Sequence, residues 1–386
     1  MLLATLLATS LVGAIAVTPP DSTLPAAMDY LVYVASESAD RVALVRFGPG
    51  GGRVEEEVPV GMNLTDPDGP HGLGVSPDGR HWYVSTAHGS PYGFLYKYDT
   101  RTNTNAGLVM LGHFPASLQL SPDGELAYVV NFNLHGDMVP SSVSVVATGE
   151  MVEVARIETC TMPHGSRLTT DGARHYSTCM MDDMLVEIDT RTFAVSRHFR
   201  LTRGAERGMT GAPSAAAASG HGAHAMPAHG TAAPAAADVT CSPTWAVPSP
   251  DGERVWVACN KSSEIVEIAT RDWSLVRRWA AGPGVYNLGV THDGRRLIGT
   301  NKRGQSVSVY DAASGKELAR IPTRRKVVHG VAVSPDDRYA FISVEGIGSE
   351  PGTVEVIDLQ SLASVAQVDV GQQAGGIDFL RSEPVR

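Results

Sequence analysis

Three histidines and a methionine crowd into the stretch SGHGAHAMPAHG at 219–230: His221, His224, Met226 and His229. Imidazole with thioether is a donor set that suits copper in both oxidation states, and imidazole alone suits zinc. The flanking residues are almost all Ala, Gly and Pro, and the Gly and Pro exclude a helix, so a flexible low-complexity linker is the plain alternative. Three more histidines, His71, His164 and His329, each lie five residues before a turn of the form Ser/Thr-x-Asp. An equal offset in a repeat aims side chains at the same height, where they can share a metal or an anionic ligand. The same offset also serves a histidine that only hydrogen-bonds inside its repeat. No HExxH, Walker loop, CxxCH or GxSxG is present, so no local motif selects one reaction.

The elements that position these residues follow from the turns. SPDG, SPDG, TTDG, SPDG, THDG and SPDD start at 76, 121, 169, 249, 291 and 334. Successive turn aspartates are 42 to 48 residues apart except for one gap of 80, between Asp171 and Asp251, and the excess coincides with the Ala/Gly/Pro/His insert at 203–240. Within each period an apolar run enters the Asp-Gly turn, and alternating runs and polar turns follow, as in TWAVPSPDGERVWVACNKSSEIVEIATRDWSLVRRW at 244–279. That grammar predicts four short antiparallel strands per period, one blade of a β-propeller. Six turns do not limit the ring to six blades. Residues 30–61 read as three strands without an inner one, and QQAGGIDFL at 372–380 reads as an inner strand with nothing after it. Paired, they predict an all-β, seven-bladed β-propeller over 30–380, closed by its N- and C-terminal strands so that no open sheet edge remains.

AYVVNFN (127–133), VWVACNKSSEIVEI (255–268) and LIGTNKRGQSVSVYDAASGKELARI (297–321) resemble the YVTN β-propeller repeat family of exported bacterial and archaeal proteins. The fold so implied is also similar to the haem-binding propeller of cytochrome-type nitrite reductases and to the copper-binding propeller of nitrous oxide reductase. The resemblance covers about 30–380 and speaks for fold, since one fold carries many chemistries.

Blade geometry sorts residues by face. The Asp-Gly turns define one face, and the links between strands two and three and between blades define the other. His71, Ala116, His164, Thr244, Tyr286 and His329 are expected at the channel mouth on this second, loop face. Thr86, Asn131, Cys179, Cys259, Asn301 and Val344 are expected where strand two ends. His88, His113, His135, Asp182 and Asp183 fall in the same loops, with Met162, Met180, Met181 and Met184, which are as readily packing material as ligands.

Four cysteines occupy equivalent places in adjacent blades, which argues for Cys160 with Cys179 and Cys241 with Cys259 as structural disulfides. The other two connectivities stay open, as does a thiolate–imidazole site between Cys179 and His164. Disulfides suit an exported chain, and the apolar run ending in Ala14-Ile15-Ala16 reads as a signal segment, 1–16, cleaved after Ala16 although no Lys or Arg precedes it. Residues 17–29 read as a linker and 381–386 as a tail, with no membrane span after signal removal and a periplasmic or secreted location. A net charge of −10 with no basic stripe beyond TRRK at 323–326 speaks against nucleic acid. Three function classes remain: a propeller binding copper or zinc on the His-rich face, the leading one; a non-catalytic platform for a small-molecule ligand or a periplasmic protein partner; and an enzyme at the channel mouth, either a lactone-type hydrolase or an oxidoreductase with a haem-like cofactor.

Overall fold

The computed structural model describes residues 27–63, 65–88, 92–213 and 240–385. The signal segment and the insert's His221, His224, Met226 and His229 lie outside the described residues. Seven antiparallel sheets form the ring, six of four strands and one of five. The first blade is composite: β29 (Ala374–Pro384) is its inner strand and pairs with β1 (Met28–Ser36), then β2 (Arg41–Gly48) and β3 (Gly51–Pro59). The seam runs from Met28 opposite Pro384 to Ser36 opposite Ala374, with register shifts between Leu31 and Val32 and between Val34 and Ser36. The closing strand therefore extends beyond 380, into residues expected as a tail. Arg46 ties its outer end by reaching Asp29, Glu55 and Glu383 at 2.8–3.0 Å.

The turn motif closes on itself. Ser76 Oγ donates to Asp78 (2.6 Å), which accepts the Arg80 amide (2.9 Å), while Gly79 takes a left-handed φ of 68° that a side chain would strain. The hydroxyl-to-aspartate bond recurs at Asp123, Asp171, Asp251, Asp293 and Asp336. These bonds fix where six of the seven inner strands end, and with it the register of everything on those strands. Packing lies between blades. Tyr30, Val32 and Val34 of β1 meet Phe341, Val354 and Val356 of the seventh blade, and on the other side Tyr33 packs against Trp82, which stacks on Tyr98 at 4.1 Å.

Cys160 is bonded to Cys179 and Cys241 to Cys259, all four sulfurs buried. Cys179 is thus no thiolate, and the Cys179–His164 metal arrangement does not form. Asp183 secures the same links, accepting the amides of Thr240 (2.6 Å) and Ser242 (2.8 Å), and Asp182 accepts the Thr161 amide (2.7 Å).

The insert begins as structure, not as loop. Arg207–Thr210 adds a fifth strand, β16, to the edge formed by β15 (Ala194–Arg200), and Glu206 pairs with Arg278 at 2.8 Å. Replacing 214–239 by a linker of about ten residues is expected to move Tm by less than about 3 °C, because loop closure changes by only about 0.6 kcal/mol per doubling of length. Extending the cut back to 204 removes the Arg278 partner and should cost clearly more. Thermal melts of both variants check this; equal losses would mean that 214–239 supports the ring.

Candidate functional site

Each inner strand contributes its second residue to the loop-face mouth: His71, Ala116, His164, Thr244, Tyr286, His329 and, from the closing strand, Gly375. Bonds between neighbouring blades hold this ring at one level. Thr244 Oγ1 donates to Tyr286 O (2.7 Å), Thr300 Oγ1 to His329 O (2.9 Å) and Ser117 Oγ to His164 O (2.5 Å).

His164 is committed on both nitrogens. Its Nδ1 is 2.9 Å from the Thr244 carbonyl, which can only accept, so Nδ1 carries the proton and Nε2 accepts from the Tyr286 hydroxyl at 2.9 Å. Burial fits this assignment, pushing His164 down to about 3 and Tyr286 up to about 12. The other two histidines are drawn together across the closing strand, their rings 5.5 Å apart. His71 Nδ1 lies 3.3 Å from Ala116 O and its Nε2 3.8 Å from Glu37. His329 is buried, its Nδ1 without a hydrogen-bond partner among the described residues, and burial, reinforced by Lys302, holds it well below the ordinary histidine range.

A second ring, one residue beyond the end of each strand two, carries the charges: Glu37, Ala87, Phe132, Met180, Asn260, Lys302 and Glu345. Sequence reasoning missed Glu37, Lys302 and Glu345, having stopped at the last strand residue; one further step past Asn301 and Val344 reaches Lys302 and Glu345. Glu37 lies in a single 3-10 turn, Glu37–Ala39, after β1. Its carboxylate binds His88 Nε2 at 2.5 Å. Burial works to raise Glu37, but His71, His88 and Lys302 outweigh it and hold the carboxyl below its usual value. The bond to Glu37 raises His88 in turn, against burial. Lys302 Nζ sits 2.8 Å from Glu345 and 4.3 Å from the centre of the Tyr286 ring; burial would lower its pKa, but Tyr286 and Glu345 raise it.

These groups face a cavity of about 340 Å³ with two unlike sides. Glu37, His71, His329, Lys302 and Glu345 form an arc of ionisable groups, and Phe114, Phe132, Leu134 and Met180 an apolar one. Met162, Met180 and Met181 pack with Phe114 and Phe132, and Met184 packs beside the first disulfide. Among the described residues no three His, Cys, Asp or Glu side chains are grouped as a metal ion would need. No described helix is long and apolar enough to cross a membrane.

No protein-family model and no curated protein matches the chain. Solved structures do. The Pseudomonas aeruginosa periplasmic gluconolactonase is similar with a TM-score of 0.66 at 18% identity, covering 92% of this chain and 99% of that one. A candidate 6-phosphogluconolactonase from Bacteroides fragilis gives 0.63 at 15% identity, covering 93% and 99%. Hydrazine synthase of Kuenenia stuttgartiensis gives 0.60 at 20% identity, covering 81% and 90%. At these identities the likeness establishes the class, a seven-bladed β-propeller, and nothing narrower.

Proposed function

We propose that the protein is a lactone-type hydrolase working in the loop-face cavity on a small sugar-derived lactone. The observation that carries this reading is the arc of ionisable groups itself: a histidine with a carboxylate 3.8 Å from its Nε2 and a buried ammonium, facing one cavity. Opening a lactone requires a base for water, a positive group at the carbonyl oxygen and a proton for the departing ring oxygen. His71 Nε2 takes the proton from water while Glu37 stabilises the imidazolium. The hydroxide adds to the carbonyl carbon, and Lys302 supports the negative charge that develops on the carbonyl oxygen. When the ring C–O bond breaks, the imidazolium returns its proton to the alkoxide, and a hydroxy acid leaves. Two propellers of similar fold are named for lactone hydrolysis, which adds to the case.

The second reading is the copper or zinc site. It is favoured by His71 and His329 lying 5.5 Å apart beside Glu37, with His164 excluded from ligation while it is bonded to Tyr286. The two disulfides support export to an oxidising compartment.

Hydrolysis of D-glucono-1,5-lactone, followed by pH-stat with and without chelator, tests both readings. Activity that survives chelation and drops roughly 10²-fold or more in Glu37→Gln supports the base assignment. Hydrolysis no faster than the uncatalysed rate for this and related aldonolactones overturns the hydrolase, and stoichiometric metal lost in His71→Ala favours the metal centre instead.

A further inference from the structure

The channel has a second mouth on the turn face, a funnel of about 540 Å³. Its walls are aliphatic, with Leu120, Leu168, Val247 and Leu288 among them, and Pro77, Pro122 and Pro250 of the turn motifs stand at its rim. Arg167, on β12 (Pro163–Leu168), brings a charge into this apolar funnel. One of its nitrogens donates to Ser166 O at 2.9 Å, and the guanidinium lies 4.8 Å from the centre of the Trp245 ring. Among the described residues no carboxylate hydrogen-bonds to it, and Asp378 acts on it only through space. The nearby acid, Asp378, accepts the amides of Val75 (2.8 Å) and Phe379 (2.9 Å). The turn aspartates are likewise occupied by their own turns. Beside Arg167, Gln119 turns its carbonyl oxygen to the Leu168 amide (2.6 Å), and its NH2 donors have no acceptor among the described residues.

We propose that this funnel binds a small aliphatic monocarboxylate, its carboxylate on Arg167 and Gln119 and its chain along the Leu and Val walls. A guanidinium held among apolar walls gains from a carboxylate in two ways: the charge is neutralised and two parallel N–H···O bonds form. Burial already pulls Arg167 down to about 10. Two donors and the neighbouring Asp378 disfavour a dianion, and the aliphatic walls favour a hydrocarbon tail over a sugar. The cavity volume lies within the roughly 300–1,000 Å³ typical of small-molecule sites. The site is on the opposite face from the proposed lactone chemistry and stands independently of it.

Calorimetric titration of the full chain with hexanoate, 1-hexanol and inorganic phosphate tests the proposal. Hexanoate is expected to bind at least tenfold more tightly than either comparator. Arg167→Met, which replaces a charge by an apolar side chain of similar length, should lose that binding by tenfold or more. Gln119→Leu should weaken it severalfold, and Asp378→Asn should strengthen it. Hexanoate binding unchanged in Arg167→Met, hexanol or phosphate equal to hexanoate, or no hexanoate binding at millimolar concentration would each overturn it. If the Arg167 variant does not fold, the comparison of hexanoate with hexanol on the natural chain and the Gln119 variant still decide.

Discussion

Lys302→Met should reduce lactone turnover by roughly 10²–10³, the usual effect of removing one preorganised positive group from a developing oxyanion. The ammonium is held by Glu345 at 2.8 Å and by the Tyr286 ring, so it needs no reorganisation as charge develops. The substitution has a second effect, because it strands the Glu345 carboxylate in a largely buried place, which costs several kcal/mol of stability. The two effects separate in Lys302→Met/Glu345→Gln, where the stranded charge is gone. Melting temperature should recover in the double variant and kcat should not. Recovery of both would reduce Lys302 to a structural partner of Glu345 and remove it from the chemistry.

Below about pH 6 the ring should lose stability steeply. His164, His175 and His329 are all buried and neutral; burial holds the first two at about 3 and the third well below its ordinary value. An unfolded chain protonates these residues near pH 6.5. Between that value and the lowered folded values the unfolded state binds more protons, so stability falls as pH falls, by up to about 1.4 kcal/mol per unit for each histidine. Together that is about 4 kcal/mol per unit, against a whole-domain stability of roughly 5–15 kcal/mol. Glu37, with its pKa lowered, adds to the loss only further down, as pH drops through its folded value. His88, with its pKa raised, works oppositely: its contribution is complete below about pH 6.5 and fades as pH rises through its folded value. Urea denaturation from pH 7.5 to 4.5 measures the slope. His175→Phe should flatten it, since neither ring nitrogen of His175 has a partner and the ring stacks on Tyr128. A stability independent of pH across this range would contradict the account.

The blades were legible because the Ser/Thr-x-Asp turn is a local signal with a local cause, and once it is placed six of the seven inner strands count back to their channel residues. His71, His164, Tyr286 and His329 are reached in this way by counting alone. Both disulfides were legible for the same reason, through equal offsets in neighbouring blades. Glu37 was not, because the composite blade has no Asp-Gly turn to count from and its inner strand is more than 300 residues away in sequence. The strand Arg207–Thr210 was hidden in RGMT, whose Gly and Arg carry little strand preference; its pairing comes from the exposed edge of β15 and not from its own composition. Partner choice was the part that periodicity could not supply. That His164 would be bonded to Tyr286 while the His71 ring met His329 is set by side-chain contacts between different blades, which no repeat offset encodes.

The seam of the composite blade also sets how the molecule responds to pulling. Met28 and Pro384 face each other at one end of an antiparallel pair, so a load applied through the two chain ends falls on one hydrogen bond after another and not on the whole row at once. Stretched from its ends, the ring should part as a zipper does, at low force and from a fixed starting point.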